Sequence, residues 1–407
     1  MMAHPSTVAD LEQWLSQYTN RERSGDYSDW KLEPMHQCLA ALQLHRPLRP
    51  ITVAGTKGKG STVAFLEQIF TAHGQPTFSF TSPHITTLME RWRRNGAAME
   101  LTAVARHCSR VDQALRAVGH DATYFERCFL LACCCADAEP ERIFICEVGL
   151  GGRLDCANVL DASCVCLTSL GLDHTHILGP TIAHIAREKL GVCRPHAPLF
   201  SAPQSESAAA AIAEQLPPVA AIHWPAPTPP TISLGLTGTH QRDNAGLAWA
   251  TAQHVLNDAF SSQYARAGLA QARLPARCQQ ITRNGRDFLI DGAHTSESIV
   301  ATLHTADALW GDAYRLLFSC ASDKDVAGLC AHIGRKRSVF RCAYAWERCV
   351  QPDDARWPDF AQCWPWYANV AEALAATSQG QGPLVITGSF YLAGEALAHL
   401  SQQDGQP

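Results

Sequence analysis

The stretch 51–66, ITVAGTKGKGSTVAFL, combines residue types that are suited to binding phosphate groups. Its apolar start, 51–54, predicts a buried parallel strand, and the apolar spacing after Ser61 predicts a helix. Between them, backbone N–H groups can surround phosphate oxygens at three glycines, Gly55, Gly58 and Gly60. Lys59 would reach the terminal phosphates, and the Ser61 hydroxyl would bind magnesium. The pattern predicts a nucleoside triphosphate site, with a glycine-rich turn that binds no ligand as the alternative.

Polar residues also follow two further strand-like runs, 143–148 and 164–169. Glu147 closes the first run, and Asp173 and His174 follow the second. Because the carboxyl ends of parallel strands bind ligands in doubly wound sheets, these side chains are expected beside the phosphate loop. Glu147 would be a magnesium ligand or, alternatively, a capped or paired acid at a strand end. For His174 this position favours a functional role over a structural one in the core.

Lys189 lies in the helical pattern AREKLG, downstream of His174. An ammonium group among magnesium ligands would be repelled, so a functional Lys189 would be neutral or modified to an anion. A solvated lysine on a helix surface is the simpler interpretation of the residue alone. The residue type therefore leaves both roles open.

The composition bounds the class of protein. A chain of 407 residues with 46% hydrophobic and 17% charged residues predicts compact α/β domains. The net charge of −5 argues against general nucleic-acid or membrane-surface binding. The first residues show no basic region followed by an apolar one, so no secretory signal is expected. The seventeen cysteines, which lack zinc-site spacing, are interpreted as reduced thiols. We therefore expect a cytoplasmic protein.

Strand-like and helix-like runs alternate along most of the chain, which predicts a doubly wound, mostly parallel sheet. The proline-rich PAPTPP at 225–230 is interpreted as a surface excursion, because the helical pattern at 239–252 still belongs to the first domain. The alternation starts again after 273–279. The sequence therefore predicts two α/β domains, 1–276 and 277–407.

Several long motifs occur in one order from about residue 10 to residue 396. They include GTKGKGS, TSPHITTLMERWRRNG, TYFE, EVGLGGRLDCAN, SLGLDHTHILG, IAREKLGV, GTHQRDNA, DGAH, ASDKD and TGSFYLAGE. The set resembles the folylpolyglutamate synthase/dihydrofolate synthase branch of the Mur ligase superfamily. This resemblance implies an N-terminal P-loop ATPase domain and a smaller, C-terminal Rossmann-like glutamate-ligase domain. It also implies an active site in the cleft between them.

The resemblance implies a role for each residue that matches the family motifs. The catalytic residues would be Lys59 on the β- and γ-phosphates, His174, and Lys189, which the family carbamylates. The nucleotide would contact Gly55, Thr56, Lys57, Gly58, Lys59, Gly60, Ser61, Thr62, Asn244, Arg277 and Asp291. Two magnesium ions would be bound by Ser61, Ser82, Glu147 and His174. The acid substrate and the incoming glutamate would contact Ser82, Pro83, His84, Tyr124, Glu126, His294, Ser322 and Lys324.

The activity that the resemblance implies is ATP-dependent formation of an amide. L-glutamate would be joined to dihydropteroate, to a folate or to both through an acyl phosphate, with release of ADP and phosphate. A paralogue acting on a non-folate carboxylic acid is one alternative, and an inactive nucleotide-binding scaffold is another. Small molecules would be the only partners, with no nucleic acid and no membrane, and the chain would be a monomer.

The chain departs from the family pattern at four places. Thr295 replaces the asparagine of DGAHN, and Ala276 replaces the glycine of PGR. Lys57 stands where the family usually has asparagine, although lysine also occurs there in eukaryotic polyglutamate synthases. GPT at 179–181 replaces GDT. None of these changes removes a predicted phosphate or metal ligand, but Thr295 is expected to alter nucleotide or amino-acid binding.

Overall fold

The computed structural model describes residues 5–20, 31–334, 338–378 and 382–402. The chain divides into two compact units. The first contains Met1–Gly235 and Arg242–Arg273, and the second contains Leu236–Gln241 and Leu274–Pro407. The division lies close to the predicted boundary at 276/277, but Leu236–Gln241 belongs with the second unit. The roles assigned to the two domains stay predictions.

Within the described residues, the first unit contains an eight-stranded sheet of order β4-β3-β2-β5-β1-β6-β7-β8. Its strands are β1 (Ile51–Ala54), β2 (Thr77–Phe80), β3 (Trp92–Arg94), β4 (Ala97–Ala98), β5 (Ile143–Glu147), β6 (Cys164–Leu167), β7 (Leu199–Ser201) and β8 (Ile222–His223). β1 pairs in parallel with β5 and β6, whereas β3 pairs antiparallel with β2 and β4. All four residues of β1 are buried, as expected for a parallel strand that helices cover on both faces.

Helices cover this sheet and extend the unit. The α-helices are Val8–Ser16, Glu33–Ala41, Lys59–Ala72, Leu101–Ala105, Cys108–Val118, Tyr124–Ala138, Thr175–Leu178, Ile182–Leu190, Glu206–Gln215, Gln241–Leu256 and Ser262–Gln271. Short 3-10 helices are Leu88–Arg91, Cys156–Val159 and Asn257–Ala259. Apolar residues of these helices and of the sheet form the core of the unit.

The helix Lys59–Ala72, which we call the phosphate-loop helix, is buried on most of its surface. The helix Ser262–Gln271 packs closely on it, because Gly268 lies against the backbone of Gln68 and Ile69, where a Cβ atom would not fit. The phosphate-loop helix is therefore fixed between the sheet and a second helix.

A buried ion pair joins the phosphate-loop helix to the sheet. Nε of Arg93 in β3 lies 3.0 and 3.2 Å from the two carboxylate oxygens of Glu67. The Ser79 hydroxyl in β2 donates to the same carboxylate. Because Glu67 is fully buried, this group of side chains fixes the helix against the sheet in a low-dielectric environment.

The second unit contains, in the described part of the chain, a six-stranded sheet of order β13-β12-β11-β14-β10-β9. Its strands are β9 (Gln279–Arg283), β10 (Arg286–Ile290), β11 (Arg315–Phe318), β12 (Val339–Cys342), β13 (Trp366–Tyr367) and β14 (Leu384–Thr387). Only β9 in this sheet runs antiparallel. Its helices are Ser296–Trp310, Val326–Ile333, Asp359–Gln362, Val370–Ser378 and Phe390–Gln402. Two mostly parallel sheets with helices confirm the predicted α/β class.

All seventeen cysteines are free, and every one except Cys363 is buried. Burial raises the pKa of Cys134, for example, to about 12. They therefore act as small apolar side chains. Among the described residues, no helix has both the length and the apolar character needed to cross a bilayer.

Candidate active site

The loop between β1 and the phosphate-loop helix is shaped by two glycines with positive φ, Gly55 at 139° and Gly58 at 90°. A Cβ atom on Gly55 would overlap the Thr168 side chain, and one on Gly58 would overlap the Asn244 amide. Only glycine fits at either position. The same contact places Asn244, predicted to bind the nucleotide, directly against the loop.

The hydrogen bonds of the loop identify which of its N–H groups can face a phosphate. The Thr56 and Lys57 N–H groups donate to the Ser169 carbonyl at 2.9 and 3.4 Å. The phosphate donors are therefore expected in the first helical turn, whose N–H groups have no acceptor within the helix. There the Thr62 hydroxyl is buried and has no hydrogen-bond partner among the described residues. These features fit a phosphate group at the helix N-terminus.

Lys59 folds back over the loop, with Nζ 3.4 Å from the Gly55 carbonyl oxygen. Burial lowers the pKa of its amine, and the nearby Glu147 carboxylate opposes that effect. Lys59 follows β1 and Glu147 ends the neighbouring strand β5, so both lie at the edge of the sheet that the sequence predicted for them. Their roles as phosphate ligand and metal ligand stay predictions.

Glu147 ends β5 and is buried, with one carboxylate oxygen 3.2 Å from the Ser82 backbone nitrogen. The part of the chain that the structure describes has no group of three or more His, Cys, Asp or Glu side chains positioned for a metal. Magnesium is nevertheless commonly held by one or two carboxylates together with water and substrate phosphates. Glu147 beside the phosphate loop fits that mode of binding. His174 lies on a separate loop with an exposed side chain.

Lys189 is buried on the helix Ile182–Leu190, so the interpretation as a solvated surface lysine is wrong. Burial, and then the positive charge of Lys59, lower the pKa of Lys189 to about 7, although Asp173 acts in the opposite direction. A substantial fraction of this amine is therefore neutral near pH 7. Lys59, Asp173 and Lys189 form one electrostatic cluster.

Asp155 belongs to the same cluster and was missed by sequence reasoning. It is buried after β5, where its carboxylate accepts the Leu150 N–H at 3.0 Å and the Ala157 N–H at 2.9 Å. Burial nevertheless raises the pKa of Asp155 to about 6, against the effect of Lys59. The motif GLGGRLDCAN contains this residue, but only the fold shows that the acid is buried.

The segments expected to bind the acid substrate meet through Arg91, which sequence reasoning also missed. Arg91 is buried, and its Nε donates to Nδ1 of His84 at 3.0 Å. Its guanidinium carbon lies 5.2 Å from the centre of the Tyr124 ring. The Arg91 guanidinium therefore contacts both His84 and Tyr124, two of the residues predicted to bind the substrate. Pro83, next to His84, is exposed.

Glu126 has a structural role in addition to its predicted one. Its carboxylate accepts the Thr123 N–H at 2.6 Å and completes a capping box for the helix Tyr124–Ala138. Although burial works against it, hydrogen bonds from His120 and Thr123 lower the pKa of Glu126. Its role in substrate binding stays a prediction.

In the second unit, Asp291 organises the turn that precedes β9. One carboxylate oxygen accepts the Cys278 N–H at 2.6 Å. The other accepts the Ala293 N–H at 2.8 Å and the Thr302 hydroxyl at 3.0 Å. Ala276, at φ 50°, adopts the left-handed conformation that the glycine of the family motif would adopt easily.

Arg277 and His294 meet on the ring of Phe390. The Arg277 guanidinium carbon lies 4.7 Å from the ring centre, and the two ring centres of His294 and Phe390 lie 5.0 Å apart. Next to His294, the Thr295 side chain closes a capping box with Ser298 for the helix Ser296–Trp310. Phe390 was missed because an aromatic side chain in TGSFYLAGE carries no chemistry by itself.

Ser322 and Lys324 lie on a different loop, after β11. The Ser322 N–H donates to the Arg348 carbonyl at 2.6 Å, and Lys324 pairs with Asp323 at 3.2 Å. The second unit thus brings Arg277, Asp291 and His294 together, and places Ser322 and Lys324 after β11, which β14 separates from β10 in the sheet.

Comparison with known proteins assigns the chain to a family. No family model matches the sequence. Over 328 residues, however, it is 31% identical to the dihydrofolate synthase/folylpolyglutamate synthase of Bacillus subtilis, covering 71% of this chain and 75% of that protein. The chain belongs to the folylpolyglutamate synthase/dihydrofolate synthase family. The resemblance predicted from its motifs is confirmed.

Other members of the folylpolyglutamate synthase/dihydrofolate synthase family agree with this assignment. The chain is 31% identical over 376 residues to the mitochondrial folylpolyglutamate synthase of Cricetulus griseus. That match covers 80% of this chain but only 63% of the hamster protein, so the chain spans less than two thirds of that relative's length. The structure of E. coli FolC in complex with DHPP and ADP superimposes over all of both chains, with a TM-score of 0.85 and 25% identity.

Proposed function

We propose that this protein is an ATP-dependent ligase that joins L-glutamate to dihydropteroate, to a folate or to both, releasing ADP and phosphate. The observation that carries the proposal is the geometry of the phosphate loop: Gly55 and Gly58 have positive φ, Nζ of Lys59 lies 3.4 Å from the Gly55 carbonyl oxygen, and buried Glu147 ends the neighbouring strand β5. Membership of the family supports it, as does the similarity to the structure of E. coli FolC in complex with DHPP and ADP.

ATP would bind with its β- and γ-phosphates at the N-terminus of the phosphate-loop helix. The helix N–H groups and Lys59 would stabilise the negative charge that develops during phosphoryl transfer. The carboxylate of the acid substrate attacks the γ-phosphorus in line, which forms an acyl phosphate and releases ADP. The protein contributes mainly by positioning the two reactants and by neutralising charge.

Lys189 would act in this step as a carbamate. Its pKa of about 7 leaves a neutral amine that can attack CO2, giving a carbamate and releasing one proton. The resulting anion would replace repulsion between Lys189 and Lys59 by attraction. With Ser61, Ser82, Glu147 and His174 it would hold magnesium, which when bound supplies neutralisation of the phosphate charge.

The second half of the reaction forms the amide. The glutamate amine attacks the acyl carbonyl, phosphate leaves with the bonding electron pair, and the amine loses a proton. Arg277, Asn244 and Asp291 are proposed to contact the nucleotide. His294, Ser322 and Lys324 are proposed to bind glutamate or the nucleotide. Exclusion of water protects the acyl phosphate from hydrolysis.

The test is ADP release with magnesium, ATP and L-glutamate, measured against dihydropteroate, dihydrofolate, tetrahydrofolate and 5,10-methylene-tetrahydrofolate. Turnover with dihydropteroate alone would define a dihydrofolate synthase, and turnover with reduced folates as well would define a bifunctional enzyme. No turnover with any acid, while ATP still binds, would overturn the proposal in favour of a paralogue that uses a non-folate acid.

A variant of Lys189 separates a ligase from an inactive scaffold. Lys189→Met keeps a side chain of similar volume in the buried site but cannot form a carbamate. It should abolish turnover and leave the Kd for ADP within about threefold of wild type, since ADP contacts are spared. The carbamate itself should give a carbon-13 NMR signal after incubation with labelled bicarbonate, absent in Lys189→Met. Exposed Lys31, as Lys31→Met, is the matched control.

We also propose that the protein works as a monomer in the cytoplasm. The seventeen free cysteines support a reducing compartment, in which such thiols persist. Light scattering after gel filtration should give the mass of a single chain, and fluorescence microscopy of a tagged protein should give a diffuse cytoplasmic signal.

A further inference from the structure

We propose that Lys57 is a positioning residue that fixes the conformation of His174 by holding Asp173, and that it does not bind phosphate. This inference rests on the proposed function, in which His174 helps to hold magnesium. It changes the role of Lys57, which the family resemblance had placed among the nucleotide-binding residues.

The ammonium group of Lys57 is directed to a carboxylate. Its Nζ lies 2.6 Å from Oδ2 of Asp173, a short, charge-assisted contact. The Lys57 side chain is 29% exposed and that of Asp173 is 15% exposed. Because water screens this pair less than it screens a surface ion pair, the contact restrains both side chains more strongly.

Asp173 in turn holds the backbone of His174. Oδ1 of Asp173 accepts the His174 N–H at 3.0 Å. His174 has φ 51° and ψ 38°, a left-handed conformation that non-glycine residues adopt only rarely. Such a conformation persists where surrounding contacts enforce it. The two oxygens of Asp173 therefore connect Lys57 to a residue whose left-handed backbone needs support from its surroundings.

Further hydrogen bonds join Thr56 and Lys57 of the phosphate loop to the segment 169–173, which contains Asp173. The Thr56 hydroxyl donates to the Gly171 carbonyl at 3.2 Å and accepts the Gly171 N–H at 3.1 Å. The Lys57 N–H donates to the carbonyl of Ser169, two residues after the end of β6. Both the main chain and the side chain of Lys57 thus contact 169–173. The geometry points to one rigid unit that couples the phosphate loop to His174.

A double-mutant cycle tests this coupling. Lys57→Met and Asp173→Asn each remove the ion pair with little change in side-chain size. If Lys57 and Asp173 act together through their ion pair, each single change should lower kcat about tenfold. The kcat of the double variant should then be no lower than that of either single variant. Lys57→Arg keeps the charge and should restore most of the rate. Lys31→Met, at an exposed lysine of the same unit, should behave as wild type.

Two binding measurements distinguish positioning from phosphate binding. The Kd for ADP should change by less than about threefold in both single variants, because neither side chain touches the nucleotide. The affinity for Mn2+ in the presence of ADP, followed by electron paramagnetic resonance of the free ion, should fall in both, without further loss in the double variant.

The contrary results are equally specific. A Kd for ADP raised more than about tenfold by Lys57→Met but not by Asp173→Asn, with additive effects, would make Lys57 a phosphate ligand and overturn the inference. If wild type shows no turnover with the four acids, the proposed function fails, and the Mn2+ measurement alone decides. Non-additive effects on Mn2+ affinity would then support the inference, and additive or absent effects would overturn it.

Discussion

The guanidinium carbon of Arg277 lies 4.7 Å from the centre of the Phe390 ring. His294 packs on the same ring, so two residues from different loops contact one aromatic side chain. Arg277 precedes β9 and His294 follows β10, whereas Phe390 begins the final helix described. The Phe390 ring therefore contacts both Arg277, which is predicted to bind the nucleotide, and His294, which is predicted to bind glutamate, and it influences the orientation of both.

Phe390→Leu should weaken substrate binding without changing the chemical step. Loss of the cation–π interaction, worth about 0.5–1 kcal/mol, would raise the KM for ATP or glutamate about two- to fivefold at an unchanged kcat. Phe390→Tyr keeps the ring and should match wild type. Steady-state kinetics with each substrate varied in turn provide the measurement. Phe360→Leu, an aromatic position that packs on Trp364 in the same unit, is the control; equal KM values in both leucine variants would contradict the prediction.

Ala276→Gly should be nearly neutral for stability, unlike other alanine-to-glycine changes. Ala276 is buried at φ 50°, so glycine relieves a left-handed strain of about 1–2 kcal/mol. That gain offsets two losses. Glycine gives the unfolded chain more backbone freedom than alanine does, and it lacks the methyl group that alanine buries. Ala393→Gly, at a buried position in the helix Phe390–Gln402, has both of these costs and relieves no strain. Urea denaturation should show Ala393→Gly less stable by about 1–2 kcal/mol, and an equal loss of stability in Ala276→Gly would mean that residue 276 carries no such strain.

Glu67→Gln should strongly destabilise the first unit. The change leaves the Arg93 guanidinium buried without its carboxylate, which typically costs about 3–5 kcal/mol. Replacing both residues, as Glu67→Leu with Arg93→Met, removes the uncompensated charge and should recover much of this loss. Chemical denaturation of the two single variants and the double variant measures the free energies of unfolding. A loss below about 1 kcal/mol in Glu67→Gln would mean that water reaches the pair.

The burial of Lys189 should make stability depend on pH in the alkaline range. The pKa of this amine falls from 10.5 to about 7 on folding, so between these values the unfolded chain binds more protons than the native protein. The free energy of unfolding therefore rises with pH across this window, by up to about 1.4 kcal/mol per pH unit from this group. Urea titrations at pH 7 and 9 in CO2-free buffer should show a larger rise in wild type than in Lys189→Met. An equal rise in the free energy of unfolding from pH 7 to pH 9 in both proteins would mean that the Lys189 amine is in contact with water.

The sequence predicted the parts of the site that depend on local pattern. The strand at 51–54, the glycine loop and the helix after Ser61 follow from hydrophobic period and backbone freedom, and the structure has them as β1 and Lys59–Ala72. Glu147 at the end of β5 was placed by the same rule, because strand ends of a parallel sheet share one edge. Each of these elements can be predicted from residues that lie within a few positions of it in the sequence.

The missed features depend on residues far apart in the chain. Lys57 and Asp173 are separated by 116 positions, and Glu67 and Arg93 by 26. No period or spacing relates such positions, because tertiary packing alone decides that they meet. The same holds for Asp155, whose raised pKa comes from burial that a glycine-rich motif does not reveal. Phe390 contributes only a surface for other side chains, so its residue type gave no warning.

The distribution of the thiols gives the molecule a built-in way to attach probes. Cys363 is the one exposed cysteine among the seventeen, all of which lie in described parts of the chain. A maleimide dye should therefore label the native protein at a single position in the second unit. The sixteen buried thiols become accessible only when their surroundings open, and they occur in both units. Timed alkylation followed by peptide mass spectrometry would then report, cysteine by cysteine, which unit opens first under denaturing conditions.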